Sequence, residues 1–352
     1  MKRFILENSF YDDKNNYKNM TTIKDVAKIA GVSVGTVSNV LNELDTVSDK
    51  NKTRVMDTIK TLRYKPNKIA ASLSKKKTMN IGLVIPDVSS PFYSDLIKGV
   101  TETLDAHGYN VFLCSSSGDI GKEKKIINDL LAMWIDGIIL IPVYSNKRDI
   151  KEMESINTPM VLVNREIKGL TRDIVIFDNF GGAYEATNFL IKNNHKKIII
   201  LDGPKYSRPF EDRLLGWKTA MEENKLYNKN LVFRGDFSVE SGYDMMVKSL
   251  NELKEIDAVF ASSDLIALGA LNALEEKNVL VPDDISIIGF GDIYLSKFLK
   301  PSLTTIRRPF YSIGKTAVSI LLEKIAGKSD EEGFKKFVIK GKLEIRNSVK
   351  EK

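Results

Sequence analysis

The chain predicts an α/β protein with a separate all-α N-terminal domain, and three observations carry that expectation. From residue 80 onward, apolar runs of strand length alternate with amphipathic helical stretches. Such alternation implies parallel strands covered on both faces. The series occurs twice, which implies two similar subdomains with a ligand cleft between them. Ahead of it, TIKDVAKIAGVSVGTVSNVLN (22–42) reads as two short helices joined by a glycine turn, the helix-turn-helix pattern.

In that opening stretch Thr22 can cap the first helix, and Asp25 three residues on nearly completes a capping box. Ile23, Val26, Ala27 and Ala30 recur at helical spacing. Gly31 tolerates the left-handed exit. Ser33 sits at the next cap, and Val37, Val40 and Leu41 give the second helix an apolar face. In a helix-turn-helix this second helix lies in the DNA major groove. A third helix is expected over 48–62, with Ser48 as its cap and Val55, Ile59 and Leu62 on one face. Pro66 and Asn67 then break the chain. Residues 67–74, NKIAASLS, are too short to form a stable helix alone and should fold only when docked. Leu73 is a large apolar side chain that this segment cannot bury in itself. Lys75, Lys76 and Lys77 form a charged linker.

Strands are expected at NIGLVI (80–85), NVFLC (110–114), GIILIP (137–142) and MVLVN (160–164), with helices around 92–106, 121–134 and 148–156. The second series runs IVIF (174–177), KIIILD (197–202), VFRG, AVFAS (258–262) and SIIGFG (286–291). Helices are expected at 181–193, 211–224, 239–253 and 264–276. Ligands of open parallel sheets bind beyond the carboxyl ends of the strands. Those ends carry Asp87 to Tyr93, Asn164 and Arg165, Ser207 to Arg213, Phe237, Ser263 and Asp264, and Gly289 to Asp292.

Charge distribution supports the division. Residues 21–80 hold twelve Lys/Arg against five Asp/Glu, and residues 1–20 four against three. With a whole-chain charge of +7, residues 81–352 are left at −1. The basic excess therefore coincides with the helix-turn-helix, as a phosphate-binding footprint requires. The single cysteine, Cys114, rules out an internal disulfide framework and suits a reducing compartment. His107 and His195 lie far apart, which leaves little basis for a His/Cys metal cluster. Phe4-Ile5-Leu6 is too short an apolar run for a signal peptide, and no stretch approaches the ~18 apolar residues of a spanning helix. A soluble cytoplasmic protein is expected, with no membrane partner. Residues 1–20 read as a disordered extension, with an over-called start or a short ordered arm as alternatives. No GxGxxG, GxxxxGK[ST] or GxSxG motif occurs, so no cofactor and no catalytic residue is assigned.

Residues 22–42, the following VSDKNKTRVMDTIKTLRYKPNKIAASLSKKKTMNIGLVIPDVSSPFY, and the stretches DGIIL, GPKYSRPFEDRLLGW, GDFSVESGY, ASSDLIALGAL, VPDDISIIGFGD and SLTTIRRPFYSIG resemble the lactose/galactose repressor (LacI/GalR) family of bacterial transcription regulators. The resemblance covers about residues 21–347. It implies a helix-turn-helix domain over 21–66 and a hinge helix and linker over 67–78. A periplasmic-binding-protein-like sensor would follow over 79–352. Its N-subdomain would take 79–178 and 310–337, and its C-subdomain 179–309 and 338–347. It further implies a homodimer on a palindromic DNA operator, a carbohydrate-type effector, and repression of carbohydrate-use genes. No segment beyond the sensor calls for a higher oligomer.

By the resemblance, Val34, Gly35 and Asn39 are the base-reading positions. Asn39 can pair with adenine and Val34 can touch a thymine methyl, whereas Gly35 offers no side chain. Thr22, Ser33, Thr36 and Ser38 are expected at phosphates. Asn67 belongs to the same DNA-contacting set, and Leu73 matches the family's minor-groove wedge; packing inside the protein is the alternative for Leu73. The matching effector positions are Phe92, Tyr93, Asn164, Arg165, Ser207, Arg213, Phe237, Ser263, Asp264, Asp292 and Arg308, with Asp264 equally readable as a helix cap. Two departures matter. Gly291 stands where the family carries an aspartate, and Arg308 where it often carries glutamine. Loss of an acceptor and gain of a cation favour a sugar acid or sugar phosphate over a neutral sugar. The competing classes are a sugar-binding protein without regulatory function and an enzyme on the same scaffold.

Overall fold

The computed structural model describes residues 21–42, 44, 46–64, 77–143, 147–167, 169–328 and 333–351. The expectations for residues 1–20 and for the hinge segment with Asn67 and Leu73 lie outside the described residues. The chain divides into two compact units, one ending at Thr78 and the other running Met79–Lys352.

The first unit holds α1 (Ile23–Ala30), α2 (Val34–Leu41) and α3 (Asp49–Thr61). The capping box at α1 is complete with aspartate in the usual Glu/Gln place: Thr22 N donates to Asp25 Oδ2 at 2.8 Å, and Asp25 N donates back to Thr22 Oγ1 at 3.4 Å. Gly31 ends α1 at φ 63°. Ser33 Oγ accepts from Thr36 N at 3.0 Å and fixes where α2 starts. Ser48 departs from expectation: it occupies the cap position of α3, but its hydroxyl makes no cap bond. Val26, Ala27, Ala30, Val37, Val40 and Val55 close a small core, with Ile23, Ile59 and Leu62 packed against it. A core of this size explains the helix order: α1 and α2 bury only their i, i+3, i+4 stripes, leaving the rest of α2 outward.

The second unit contains two six-stranded sheets. The first has β1 (Asn80–Ile85), β2 (Asn110–Ser115), β3 (Gly137–Leu140), β4 (Met160–Val163), β5 (Asp173–Phe177) and β11 (Lys336–Ile339), in the order β11-β5-β4-β3-β1-β2, all parallel. The second has β6 (Ile198–Asp202), β7 (Val232–Arg234), β8 (Ala258–Ala261), β9 (Ser286–Gly291), β10 (Thr304–Arg307) and β12 (Lys342–Glu344), in the order β12-β10-β9-β8-β6-β7. Here β12 runs antiparallel to β10, so this sheet is not wholly parallel. Covering helices are α4 (Ser94–Asp105), α5 (Ile120–Ala132), α6 (Lys147–Glu154), α7 (Asn179–Lys192), α8 (Arg208–Glu223), α9 (Val239–Glu252), α10 (Asp264–Glu276) and α11 (Phe310–Ile325). The central strands β3, β4, β6, β8 and β9 are buried along their whole length, which is why they read as unbroken apolar runs rather than alternation.

The chain crosses between the sheets after β5, after β10, and between β11 and β12 at residues 340–341. The last crossing lies beyond the expected 337/338 boundary, because β11 pairs with β5 through Ile339. Among the described residues no helix is long and apolar enough to cross a membrane.

Candidate functional site

The carboxyl ends of both sheets meet at a cleft. Its inner chamber, about 120 Å³, is lined by nine of the eleven expected effector residues: Phe92, Tyr93, Asn164, Arg165, Ser207, Arg213, Phe237, Ser263 and Arg308. They come from the turns after β1, β4, β6, β7, β8 and β10, the places where an open parallel sheet presents its ligand-facing loops.

Three arginines dominate its electrostatics. Arg213, on the first turns of α8, is buried and held in place from three sides. Its Nε donates to Asn179 Oδ1 at 2.9 Å and its Nη1 to the Ser262 carbonyl at 2.6 Å. Its guanidinium lies 4.7 Å from the Phe210 ring centre and 4.3 Å from that of Phe290. Arg308 Nη2 donates to Asn164 Oδ1 at 2.7 Å, and its guanidinium sits 4.2 Å from Phe310 and 5.4 Å from Phe177. Its Nε is buried without a hydrogen-bond partner among the described residues. Arg165 Nη1 reaches the Pro142 carbonyl at 3.4 Å. Burial lowers the pKa of Arg213 well below the ordinary arginine range, and the charge of Arg308 adds to the shift. Burial likewise brings Arg308 down to about 10, with Arg165 pushing the same way. The guanidinium groups remain charged at neutral pH; Asp202, Asp264 and Asp212 oppose the shift of Arg213, and Tyr93 and Asp264 that of Arg308.

Asn164 is at φ 67°, a left-handed conformation that asparagine tolerates. The side-chain amide it turns toward Arg308 joins the two sheets' loops.

Asp264 and Asp292 are not among the chamber residues. The Asp264 carboxylate is buried and engaged on both oxygens: Thr305 Oγ1 donates at 2.6 Å, Ser296 Oγ at 2.8 Å and Ile293 N at 2.9 Å. Burial raises its pKa, and the three donors oppose that shift. It ties the ends of β9 and β10 to the α10 start, while Ser263 supplies the cap of α10. Asp292 is bound by Arg307 Nε at 2.7 Å and Arg346 Nη2 at 2.6 Å. It closes the crossover strands. Both carboxylates therefore have structural partners, and Asp292 also lines an adjoining cavity with Phe92 and Arg308. Gly291 has φ 147°, and a Cβ there would lie 3.1 Å from the Phe92 ring. A side chain at this position would press on the Phe92 ring and adopt a strained backbone.

The sequence pattern does not single out Asn179 or Phe310, and it marks Phe290 only as part of the strand end from Gly289 to Asp292. Asn179 follows β5 directly and so was findable as a strand-end residue. The two phenylalanines, though apolar and interior, act here as faces for guanidinium groups, and nothing in the sequence separates that role from core packing.

In the first unit α2 presents Val34, 41% exposed, together with exposed Gly35 and half-buried Thr36, Ser38 and Asn39. Ser38 is already engaged with the Asn42 amide, through its carbonyl at 2.8 Å and its hydroxyl at 3.4 Å. Thr22 is exposed at the α1 end, and Ser33 lies beside Thr36 with their hydroxyls 2.9 Å apart.

Residues 22–67 match the model of bacterial regulatory proteins of the lacI family, and residues 78–347 that of periplasmic binding proteins and the sugar-binding domain of the LacI family. The ribose operon repressor of Halalkalibacterium halodurans is 37% identical over 331 residues, covering 94% of this chain and 98% of that one. The transcriptional regulator RegA of Clostridium saccharobutylicum is 35% identical over 314 residues, covering 89% and 95%. The crystal structure of the Lac repressor dimer bound to operator and the anti-inducer ONPF superimposes with a TM-score of 0.84 at 28% identity, over 94% of this chain and 99% of that one. The chain belongs to the LacI family of bacterial regulatory proteins: it is a DNA-binding transcription repressor and not an enzyme.

Proposed function

We propose that this repressor answers to an acidic carbohydrate, a sugar acid or a sugar phosphate, bound in the arginine-lined chamber. One observation carries the reading: Arg165, Arg213 and Arg308 line a single small chamber whose other lining residues include one carboxylate, Asp87. Buried cations of one sign are costly, and an anion placed among them relieves that cost through charge-assisted hydrogen bonds. Asn164 and Ser207 supply the neutral polar groups a hydroxylated ligand needs, and Phe92, Tyr93 and Phe210 the apolar walls. The rival reading, a neutral sugar held by Asp292, requires a carboxylate that two arginines already hold.

On the DNA side, the protein works as a homodimer on a palindromic operator. Val34 and Asn39 read bases; Thr22, Ser33, Thr36 and Ser38 hold phosphates; Asn67 also contacts DNA, and Leu73 acts at the operator centre. The effector changes DNA affinity by favouring one arrangement of the sensor subdomains.

A thermal-shift panel tests the effector class. Gluconate, glucuronate and glucose 6-phosphate are compared with glucose and galactose. A ligand at 100 times its Kd stabilises by about 2.7 kcal/mol, a shift on the order of 5 °C for a domain of this size. The proposal expects acids to give such a shift. Neutral sugars that shift the melting temperature while acids are inert would sink it.

A further inference from the structure

The inner chamber does not end at its aromatic rim. It opens into an outer chamber of about 460 Å³ that shares Pro86, Asp87, Arg165, Ser207, Phe210 and Phe237 with it. The inner volume of about 120 Å³ falls short of the roughly 300–1,000 Å³ of small-molecule sites, and the outer one lies within that range. Two aromatic rings mark the outer chamber. Phe237 is 51% exposed and stacks on Phe210, with ring centres 6.5 Å apart and planes at 19°. Tyr206, also on the outer wall, is 66% exposed. Ser117 and Gly118 line the same chamber; Lys122 Nζ donates to Ser117 Oγ at 2.8 Å, and beyond its chain neighbours nothing lies within 4 Å of where a Gly118 Cβ would stand. The cleft thus passes from an end with three arginines to a section of aromatic faces and hydroxyl-bonding groups in which Asp87 stands against Arg165 and Lys122.

We infer that the effector has two sugar units: an acidic unit inside, among Arg165, Arg213 and Arg308, and a second, neutral ring outside on Tyr206 and Phe237. An aromatic face suits the C–H face of a pyranose, while Asp87 and the Ser117 hydroxyl can bond ring hydroxyls. Arg165 lines both chambers and marks the junction. This inference rests on the acid reading of the inner chamber, but its length and its charge can be separated by experiment.

Calorimetric titration of the full-length protein with four probes makes that separation: gluconate, cellobionate, glucose and cellobiose. The inference expects cellobionate to bind at least tenfold more tightly than gluconate. Tyr206→Ala should reduce that ratio to below about threefold, and Tyr206→Trp should restore it. Because the tyrosine ring is largely exposed, both variants should melt with wild type, which a thermal scan checks. Cellobiose equal to cellobionate, with both tighter than the single units, would keep the outer subsite and reject the acid reading. Cellobionate no tighter than gluconate would overturn the two-unit inference. A Tyr206→Ala variant that weakens both acids equally would also overturn it.

Discussion

Arg308 is the residue on which the effector reading turns. Its side-chain bond to Asn164 and its stacking on Phe310 hold the guanidinium in the chamber wall, and its buried Nε has no partner among the described residues. A hydrogen bond involving a charged group contributes about 1.5–3 kcal/mol. Arg308→Gln is therefore expected to weaken binding of an acidic effector by tenfold to a hundredfold in calorimetric titration, with a much smaller effect on neutral sugars. Equal loss for acids and neutrals would assign Arg308 a packing role instead. A second residue, Asp202 at the end of β6, gives a pH signature. It is fully buried and lies 3.1 Å from Arg234, yet burial outweighs that attraction and raises its pKa to about 6. An acid whose folded pKa is raised binds more protons folded than unfolded, so stability falls as pH rises from about 4 to about 6 and stays lower above that. The contribution is on the order of 3 kcal/mol. Asp202→Asn should flatten this limb in thermal scans from pH 4 to 7, and Arg234 keeps Glu211 at 2.7 Å as a partner. A wild-type melting temperature that rises over the window would contradict the assignment.

At the scale of elements, helix pairing in the second subdomain depends on close backbone approach. A methyl group on Gly269 of α10 would overlap the Val239 carbonyl, and one on Gly242 of α9 would overlap that of Ile266. Gly269→Ala is expected to cost about 1–3 kcal/mol by overpacking, read as a lowered melting temperature. No change would mean that the two helices can move apart. Such contacts were not legible in the sequence, where both glycines look like ordinary breaks in helical runs. The central strands of both series were legible, because burial on both faces turns a parallel strand into a short unbroken apolar run, whereas the edge strands β2 and β7 are apolar runs that stay partly exposed. The chain's last elements were not legible from the pattern: β10, α11, β11 and β12 lie at the crossings, and β11 and β12 pair with strands far away in sequence. Thr305 pairs with Glu344, and Ile339 with Phe177. Nor did the sequence reveal that Asp264 serves three donors. Strand-end position marks a residue as near the cleft, but which way its carboxylate turns depends on Thr305, Ser296 and the Ile293 amide, brought together only by the fold.

For the whole molecule, the charge asymmetry and the cleft belong to one device. The helix-turn-helix region carries the chain's basic excess, so operator binding should weaken steeply with salt: if the dimer neutralises six or more phosphates, by about 10³-fold or more between 50 and 200 mM. A shallow salt slope would mean that few of these cations reach the duplex. Asn39→Ala should lower discrimination among operator variants more than it lowers overall affinity, since phosphate contacts remain. The most direct measurement of the central claim, an acid-reading cleft that governs DNA binding, is fluorescence anisotropy. A labelled fragment from upstream of the gene is titrated with the full-length protein alone, with glucuronate or cellobionate, and with glucose or cellobiose. The account predicts that at least one acid changes the DNA Kd by tenfold or more, in either direction, while the neutral sugars leave it within about twofold. A neutral sugar that shifts the DNA Kd while every acid leaves it unchanged would contradict it.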